Sequence, residues 1–277
     1  MKTLGLIAGK GRFPFLVAEE AKRAGYRVVC CGISKEAEAN LGKATDAYRE
    51  IKLGQLKALR DFFKREGVSE AIMAGKIEKV RVFQGDVRPD LEMAKVLLKT
   101  RDFRDDSLLG GIAHYLSEHG IELQDSTRFL KEALLGEGVL GKRRPSREVQ
   151  EDIDFGWGVA KALAGLDIGQ TVVVKRKAVL ALEAIEGTDE TIRRGGVLGQ
   201  GGITVVKVAK PNQDMRFDVP AVGLGTLERL IEAKAKALAF EAGKTIFMDR
   251  VEFIKKADQA GMALVGLRAN GPRKEEP

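Results

Sequence analysis

Apolar and polar positions along the chain follow two periods that keep trading places. An apolar run at 4–8 gives way to 13–24, where Phe15, Leu16, Ala18 and Ala21 recur at helical spacing with Glu19, Glu20 and Lys22 opposite. Strand-like runs at 27–32, 47–51 and 70–74, with a helical stretch at 56–66, continue the alternation. Strands alternating with helices pair in parallel through right-handed crossovers, so this part is predicted to be Rossmann-like. Helical periods at 89–99 and 105–119 follow, and Gly120 is placed to end the second before a strand at 121–124.

The stretch 136–146 is rich in glycine, proline and basic residues and is the expected domain boundary. Beyond it the pattern predicts a helix over 149–163, strands over 171–174 and 178–185, a helix from Thr188 and a strand over 203–208. An extended piece at 215–219, a helix over 226–235, strands over 237–241 and 245–248, a helix over 250–260 and a strand over 263–267 complete it. The expected fold class is α/β: a Rossmann-like domain over 1–135, a linker at 136–148, a distinct C-terminal α/β (α+β) domain over 149–267 and a disordered tail at 268–277.

Composition agrees with this picture and narrows the setting. At 277 residues the chain exceeds one domain of about 150, and 44% hydrophobic residues exclude a disordered protein. Cys30 and Cys31 are neighbours in an apolar run, where a disulfide would strain the backbone and staple nothing, so a reducing, cytoplasmic compartment is expected. No signal-like leader and no run of about 18 apolar residues is present, which predicts a protein neither secreted nor membrane-spanning. Lysine and arginine number 47 against 40 acidic residues, with signs mixed along the chain, which argues against a nucleic-acid partner. The densest basic cluster, Lys142, Arg143, Arg144 and Arg147, reads as a solvated linker or as a patch for anionic head groups.

Candidate chemistry lies in three places. Gly9 and Gly11 flank the first strand–helix turn, where backbone amides and the helix N-terminus suit a phosphate, although the third glycine of a dinucleotide fingerprint is missing and Pro14 starts the helix. Glu183, Glu186 and Asp189 gather where a strand turns into a helix capped by Thr188; Glu183 stands in an apolar strand, where a carboxylate needs a partner. Extended geometry at 214–220 would set Asp214, Arg216 and Asp218 on one face and Met215, Phe217 and Val219 on the other, with Lys210 and Gln213 as upstream donors. Gly195, Gly196, Gly199, Gly201 and Gly202 read as a pliable loop beside it. Gly136 to Lys142 has P-loop spacing, yet Arg143 replaces the Ser or Thr and Pro145 breaks the helix; the histidines are badly placed to share a metal, and no serine or cysteine nucleophile is supported.

Five segments together resemble the LpxI-type UDP-2,3-diacylglucosamine pyrophosphatases over nearly the whole chain: Ala8 to Pro14, Ala74-Gly-Lys76, Asp105 to Leu109, Glu183 to Asp189 and Lys210 to Pro220. Lys10 departs from the usual second glycine of the first turn. The resemblance implies an enzyme of lipid A synthesis that hydrolyses UDP-2,3-diacylglucosamine, with Mg2+ or another divalent ion, to UMP and diacylglucosamine 1-phosphate (lipid X). It also implies a site between two domains, peripheral contact with the inner membrane surface and Asp218 as the catalytic aspartate. The expected site is then Asp218 and Asp189 for catalysis, Asp218, Glu186 and Asp214 for metal, and Gly9, Gly11, Lys76, Thr188, Lys210, Gln213 and Arg216 for substrate. A homodimer stays open. Two rival classes are a Rossmann-type nucleotide-sugar oxidoreductase and a non-enzymatic basic adaptor.

Overall fold

The computed structural model describes residues 1–77, 89–100, 105–211, 213–217 and 219–271, and the side chains of 105 and 106 are outside that description. Asp218 and the residues 272–277 of the expected tail therefore lie outside the described residues. The chain forms two compact units, Met1–Lys131 with Asp214–Asp218, and Glu132–Gln213 with Val219–Pro277.

In the first unit, β1 (Thr3–Ala8), β2 (Arg27–Ile33), β3 (Ala47–Ile51), β4 (Glu70–Ala74) and β5 (Glu122–Leu123) form a parallel sheet in the order β3-β2-β1-β4-β5. That order reverses between β1 and β4, the switch point at which α/β sheets open a crevice beyond the strands' carboxyl ends. The helices are α1 (Phe13–Arg23), α2 (Leu56–Arg65), α3 (Leu91–Lys99) and α4 (Asp105–Glu118). Asp90 starts two of them, accepting the Met93 amide at 2.9 Å in α3 and the Lys57 amide at 2.7 Å in α2. One apolar core joins Val29, Cys31, Phe62, Phe63, Leu116 and Ile121. Burial pushes both cysteine thiols up from their ordinary range, so neither is a ready nucleophile.

The second unit holds β6 (Gly138–Leu140), β7 (Thr171–Lys175), β8 (Ala178–Leu182), β9 (Thr204–Lys207), β10 (Ala221–Val222), β11 (Ala237–Glu241), β12 (Ile246–Phe247) and β13 (Ala263–Leu267). Its main sheet runs β6-β13-β11-β9-β7-β8, parallel across β9, β11 and β13 and antiparallel at both edges, while β10 pairs with β12. The helices are α5 (Arg147–Gly165), α6 (Thr188–Gly199), α7 (Leu224–Glu232) and α8 (Arg250–Gln259). The strand period divides the core in two: Val172, Val174 and Val206 pack with Ile153 and Trp157 of α5, whereas Val173, Val205 and Phe240 pack with Ile192, Leu227 and Phe253. The result is a helix–sheet–helix sandwich distinct from the first unit.

Four expectations change. The stretch 136–148 contains β6, whose Val139 pairs with Val265 of β13, so part of the expected linker is a sheet edge; a strand this short leaves no periodic signal. Gly195, Gly196 and Gly199 lie inside α6, where they permit close packing: a Cβ on Gly195 would stand 2.5 Å from Val173 Cγ1 and one on Gly196 2.6 Å from Ala233 Cβ. Only Gly201 and Gly202 form a turn, with φ of 78° and 68°. Residues 214–217 are a turn and not a strand, because Phe217 N donates to Asp214 O at 3.1 Å and Arg216 N to Asp214 Oδ1 at 3.0 Å, a local bond that displaces ladder pairing. At the start of the expected disordered tail, Arg268 ion-pairs with Glu137 at 2.5 Å and Gly271 is buried against Trp157.

Gly195→Ala is expected to destabilise the protein by about 1–3 kcal/mol through overpacking. Gly158→Ala, with nothing within 4 Å of the added Cβ, should stabilise by about 0.5–1 kcal/mol. Urea midpoints measure both, and a wild-type midpoint for the first variant would refute the packing account.

Candidate functional site

At the switch point of the first unit, two glycine turns close on each other. Gly9 N donates to Ala74 O at 2.8 Å, and Lys10 and Lys76 exchange backbone hydrogen bonds at 2.8 and 3.0 Å. A Cβ on Gly9 would lie 2.6 Å from Lys76 O, and one on Gly75, at φ of 92°, 2.7 Å from Gly9 C, so the approach requires both glycines. The Gly9 amide, expected to face a phosphate, is thus committed to the fold, and Lys76 serves this turn through its backbone. The amides of Gly11, Arg12 and Phe13 at the start of α1 have no acceptor among the described residues. Gly11, Arg12, Phe15, Glu38 and Asn40 line a shallow hollow there, with the Arg12 guanidinium 5.8 Å from the centre of the Phe15 ring.

The Asp214–Phe217 turn belongs to the same unit. Ser126, just past β5, donates its amide to Met215 O at 2.8 Å, and its hydroxyl lies 2.7 Å from Met73 O in β4 and 3.0 Å from Arg216 O. Phe217 packs against the apolar core. The turn is therefore held at the carboxyl ends of β4 and β5, the end that also carries the glycine turns. Arg216 grips Asp214 through Nε at 3.0 Å and Nη2 at 2.7 Å, and this fork holds the Asp214 carboxyl below the usual aspartate range. Arg216 Nη1 has no hydrogen-bond partner among the described residues, and the side chain is 43% exposed.

In the second unit the charges cluster around the end of β9. Glu183 accepts from Thr188 Oγ1 at 2.9 Å and Gln170 N at 3.3 Å, and the buried Lys207 reaches Thr188 Oγ1 at 2.8 Å. Burial pushes the Glu183 carboxyl up, but Lys207 and these hydrogen bonds outweigh it and hold the group below its ordinary value. Thr188 is thus a hydroxyl bridge between a buried cation and its counter-ion. Glu186 is engaged by Ala184 N at 3.1 Å and Arg194 Nη2 at 2.6 Å, and Asp189 accepts from Thr226 Oγ1 at 2.9 Å. Lys210 is buried with Nζ 2.5 Å from Asp167 Oδ1, and Gln213 Oε1 accepts the Lys210 amide at 3.0 Å. Glu241 is fully buried; its Oε2 accepts Lys161 Nζ and Ala209 N, each at 2.9 Å, and Lys244 Nζ lies 3.0 Å from Oε1.

Lys76, Gly9, Gly11, Asp214 and Arg216 thus belong to the first unit, and Glu183, Glu186, Thr188, Asp189, Lys210 and Gln213 to the second. Among the described residues, no three His, Cys, Asp or Glu side chains assemble as a metal cage. No helix among them is long and apolar enough to cross a membrane.

Two family models account for almost all of the chain: the LpxI N-terminal domain matches residues 3–133 and the LpxI C-terminal domain residues 136–265. The chain belongs to the LpxI family. A curated relative, the UDP-2,3-diacylglucosamine pyrophosphatase LpxI of Caulobacter vibrioides, is 30% identical over 96% of this chain and 98% of its own length. Among solved structures, the biotin carboxylase domain of a thermophilic 2-oxoglutarate carboxylase aligns over 62% of this chain and 35% of its own, with 16% identity and a TM-score of 0.27. The ADP complex of N5-carboxyaminoimidazole ribonucleotide synthetase gives 62%, 37%, 16% and 0.28 in the same order, and neither likeness bears on function.

For this LpxI-family chain, the residues that sequence reasoning missed are Ser126, Lys161, Asp167, Lys207 and Glu241. Lys207 and Glu241 carried the signal already used for Glu183, a charge inside an apolar strand, whereas Ser126 stands among polar neighbours and carried none.

Burial pushes the Glu241 carboxyl up, but Lys161, Ala209 N and Lys244 outweigh it, leaving the folded value below the ordinary one. A carboxyl depressed by folding stabilises above its unfolded pKa, about 4.3 for glutamate, and that contribution fades as pH falls through the folded value. Glu241→Gln should therefore cost about 1–3 kcal/mol at neutral pH. The gap from wild type should narrow in acid, and denaturant titrations at several pH values would show a pH-independent gap if this account were wrong.

Proposed function

We propose that this chain hydrolyses the pyrophosphate bond of UDP-2,3-diacylglucosamine to give UMP and 2,3-diacylglucosamine 1-phosphate. The observation that carries the reading is the placement of Asp214 and Arg216, within the segment of LpxI resemblance, at the switch-point end of a Rossmann-type sheet. The name of the Caulobacter relative supports the substrate. In this reading the amides of Gly11 to Phe13 and the hollow by Phe15 and Asn40 take the uridine nucleotide half. Arg216 Nη1 contacts a phosphate oxygen.

A diphosphate repels nucleophiles, so catalysis needs positive charge at its oxygens and a water held in line. Asp218, in the Asp-Val-Pro segment of the resemblance, orients that water and receives its proton. The water oxygen bonds to one phosphorus as the bridging oxygen leaves with the other. Lys210 is committed to Asp167 and acts by fixing the start of the loop that carries Asp214. Glu186 and Asp189, held by Arg194 and Thr226, shape the β8–α6 corner.

A divalent ion suits this donor set. Mg2+ takes one or two carboxylates and fills its remaining positions with water and phosphate oxygens. Asp214 stays ionised beside Arg216, and Oδ2, bonded to Nη2 at 2.7 Å, has lone pairs to spare. Asp218 and Asp214 would hold the ion, which supplies charge neutralisation and a more acidic bound water. The exposed Lys142, Arg143, Arg144 and Arg147 support peripheral attraction to an anionic membrane surface, where an acylated substrate resides.

Purified protein given UDP-2,3-diacylglucosamine and Mg2+ in isotopically labelled water should release UMP and the sugar 1-phosphate, with label in one product. Asp218→Asn should lower kcat by about 10²–10⁴ while remaining folded. A folded Asp218→Asn protein with full turnover would remove Asp218 from the chemistry, and absence of both products from wild type would sink the reading.

A further inference from the structure

We infer that Ser126 is a positioning residue, the clasp that fixes the Asp214–Phe217 turn in the register its charged pair requires. The inference rests on the reading that this turn serves the hydrolytic site. Ser126 is 1% exposed and makes every hydrogen bond found between the described residues of the turn and the rest of its unit: amide to Met215 O at 2.8 Å and hydroxyl to Arg216 O at 3.0 Å. The same hydroxyl lies 2.7 Å from Met73 O. That carbonyl is beyond the reach of β5, since the last bond on that side runs from Gln124 N to Ala71 O at 2.8 Å.

The clasp is itself rigid. Asp125 Oδ1 accepts the Thr127 amide at 2.7 Å and the Thr127 hydroxyl at 2.6 Å, while Leu130 N donates to Thr127 O at 2.8 Å. A serine is the residue this geometry selects. It offers an amide and a hydroxyl three bonds apart, so one residue touches both the end of β4 and the turn from a buried position. With one hydrogen for two carbonyls, the hydroxyl ties the turn to β4 through a single shared proton. The other anchor is the partly buried Phe217 side chain, packed against the core. The Arg216 guanidinium and the Asp214 carboxylate bond each other within the turn and add no side-chain hydrogen bond to this attachment among the described residues. Loss of the hydroxyl therefore removes the attachment at Arg216 O and leaves the Ser126 amide bond, the Phe217 anchor and the charged pair in place, so the backbone that carries the pair loosens.

The test uses the full chain with Ser126→Ala, Ser126→Cys and Phe217→Ala. Displacement of reacting groups by about 1 Å costs roughly 10²-fold in rate. Ser126→Ala should accordingly lower kcat by about 10²-fold with KM changed less than about threefold, and should accelerate hydrogen exchange at the Arg216 and Phe217 amides while β1 and β4 keep their protection. Ser126→Cys, retaining a weak donor, should fall between, and Phe217→Ala should give the same kinetic signature through the other anchor. Wild-type exchange at the Arg216 and Phe217 amides in Ser126→Ala would overturn the clasp, as would wild-type kcat with accelerated exchange. If Ser126→Ala unfolds globally, the Cys variant decides: full activity with faster exchange there overturns the proposal. Exchange needs no substrate, so accelerated exchange beside an inactive wild type would fault the assigned reaction and not the clasp.

Discussion

The loop from β9 to β10 departs from one compact unit and returns to it, and it is fastened at every stage by groups shielded from water. At its start, Glu241 takes the Ala209 amide and Asp167 takes the Lys210 ammonium. In its middle, Ser126 holds Met215 and Arg216 while Phe217 packs against the core of the other unit. At its end, Ile246 donates to Pro220 O. Ordering a backbone costs about 1–2 kcal/mol per residue, and irregular loops recover little of it from regular hydrogen bonding. A loop held at so many points is one whose residues must keep their places, and the charged residues of the LpxI resemblance are on it.

Exposure sorts the charges into scaffold and site. Glu241 and Lys207 are sealed in the second unit, where an ion survives only with its partners, so their networks hold the strand ends together. The Asp214–Arg216 pair is 34% and 43% exposed, a setting in which such a pair adds at most about 1 kcal/mol to stability. Folding has little use for it there. In the proposed function its value is what it presents, a carboxylate kept ionised and a guanidinium with one nitrogen open.

The sequence made the first unit legible because strand and helix periods alternate strictly there: the runs at 4–8, 27–32, 47–51 and 70–74 are β1 to β4 to within a residue at either end. The second unit was legible in its long elements and misread where composition substituted for packing. Glycines at 195–199 suggested a loop, yet α6 needs them because Val173 and Ala233 leave no space for a Cβ. The alternation Asp214 to Val219 suggested a strand, but Asp214 captures the Arg216 amide and bends the chain. Of the site, the acidic and basic residues were visible as types. Their division between two units was not, since the 214–217 turn is attached to the first by long-range contacts, among them a serine more than eighty residues upstream that carries no signal in the sequence.

The glycine turn also bears on the nucleotide chemistries the sequence left open. A dinucleotide lies across a strand–helix turn whose successive amides all face its pyrophosphate. Here the Gly9 and Lys10 amides are closed by Ala74 O and Lys76 O, and Pro14 has none to give. What remains is the short run from Gly11 to Phe13 at one helix start, with an aromatic ring beside it. Such a run can cap a single phosphate group but offers no second set of donors for a pyrophosphate bridge. In the proposed function it takes one nucleoside and its phosphate at this end, and the remaining charge is left to groups from elsewhere on the unit. Arg216, held at that end of the sheet by the fastened loop, is the group to which the proposed function gives this part.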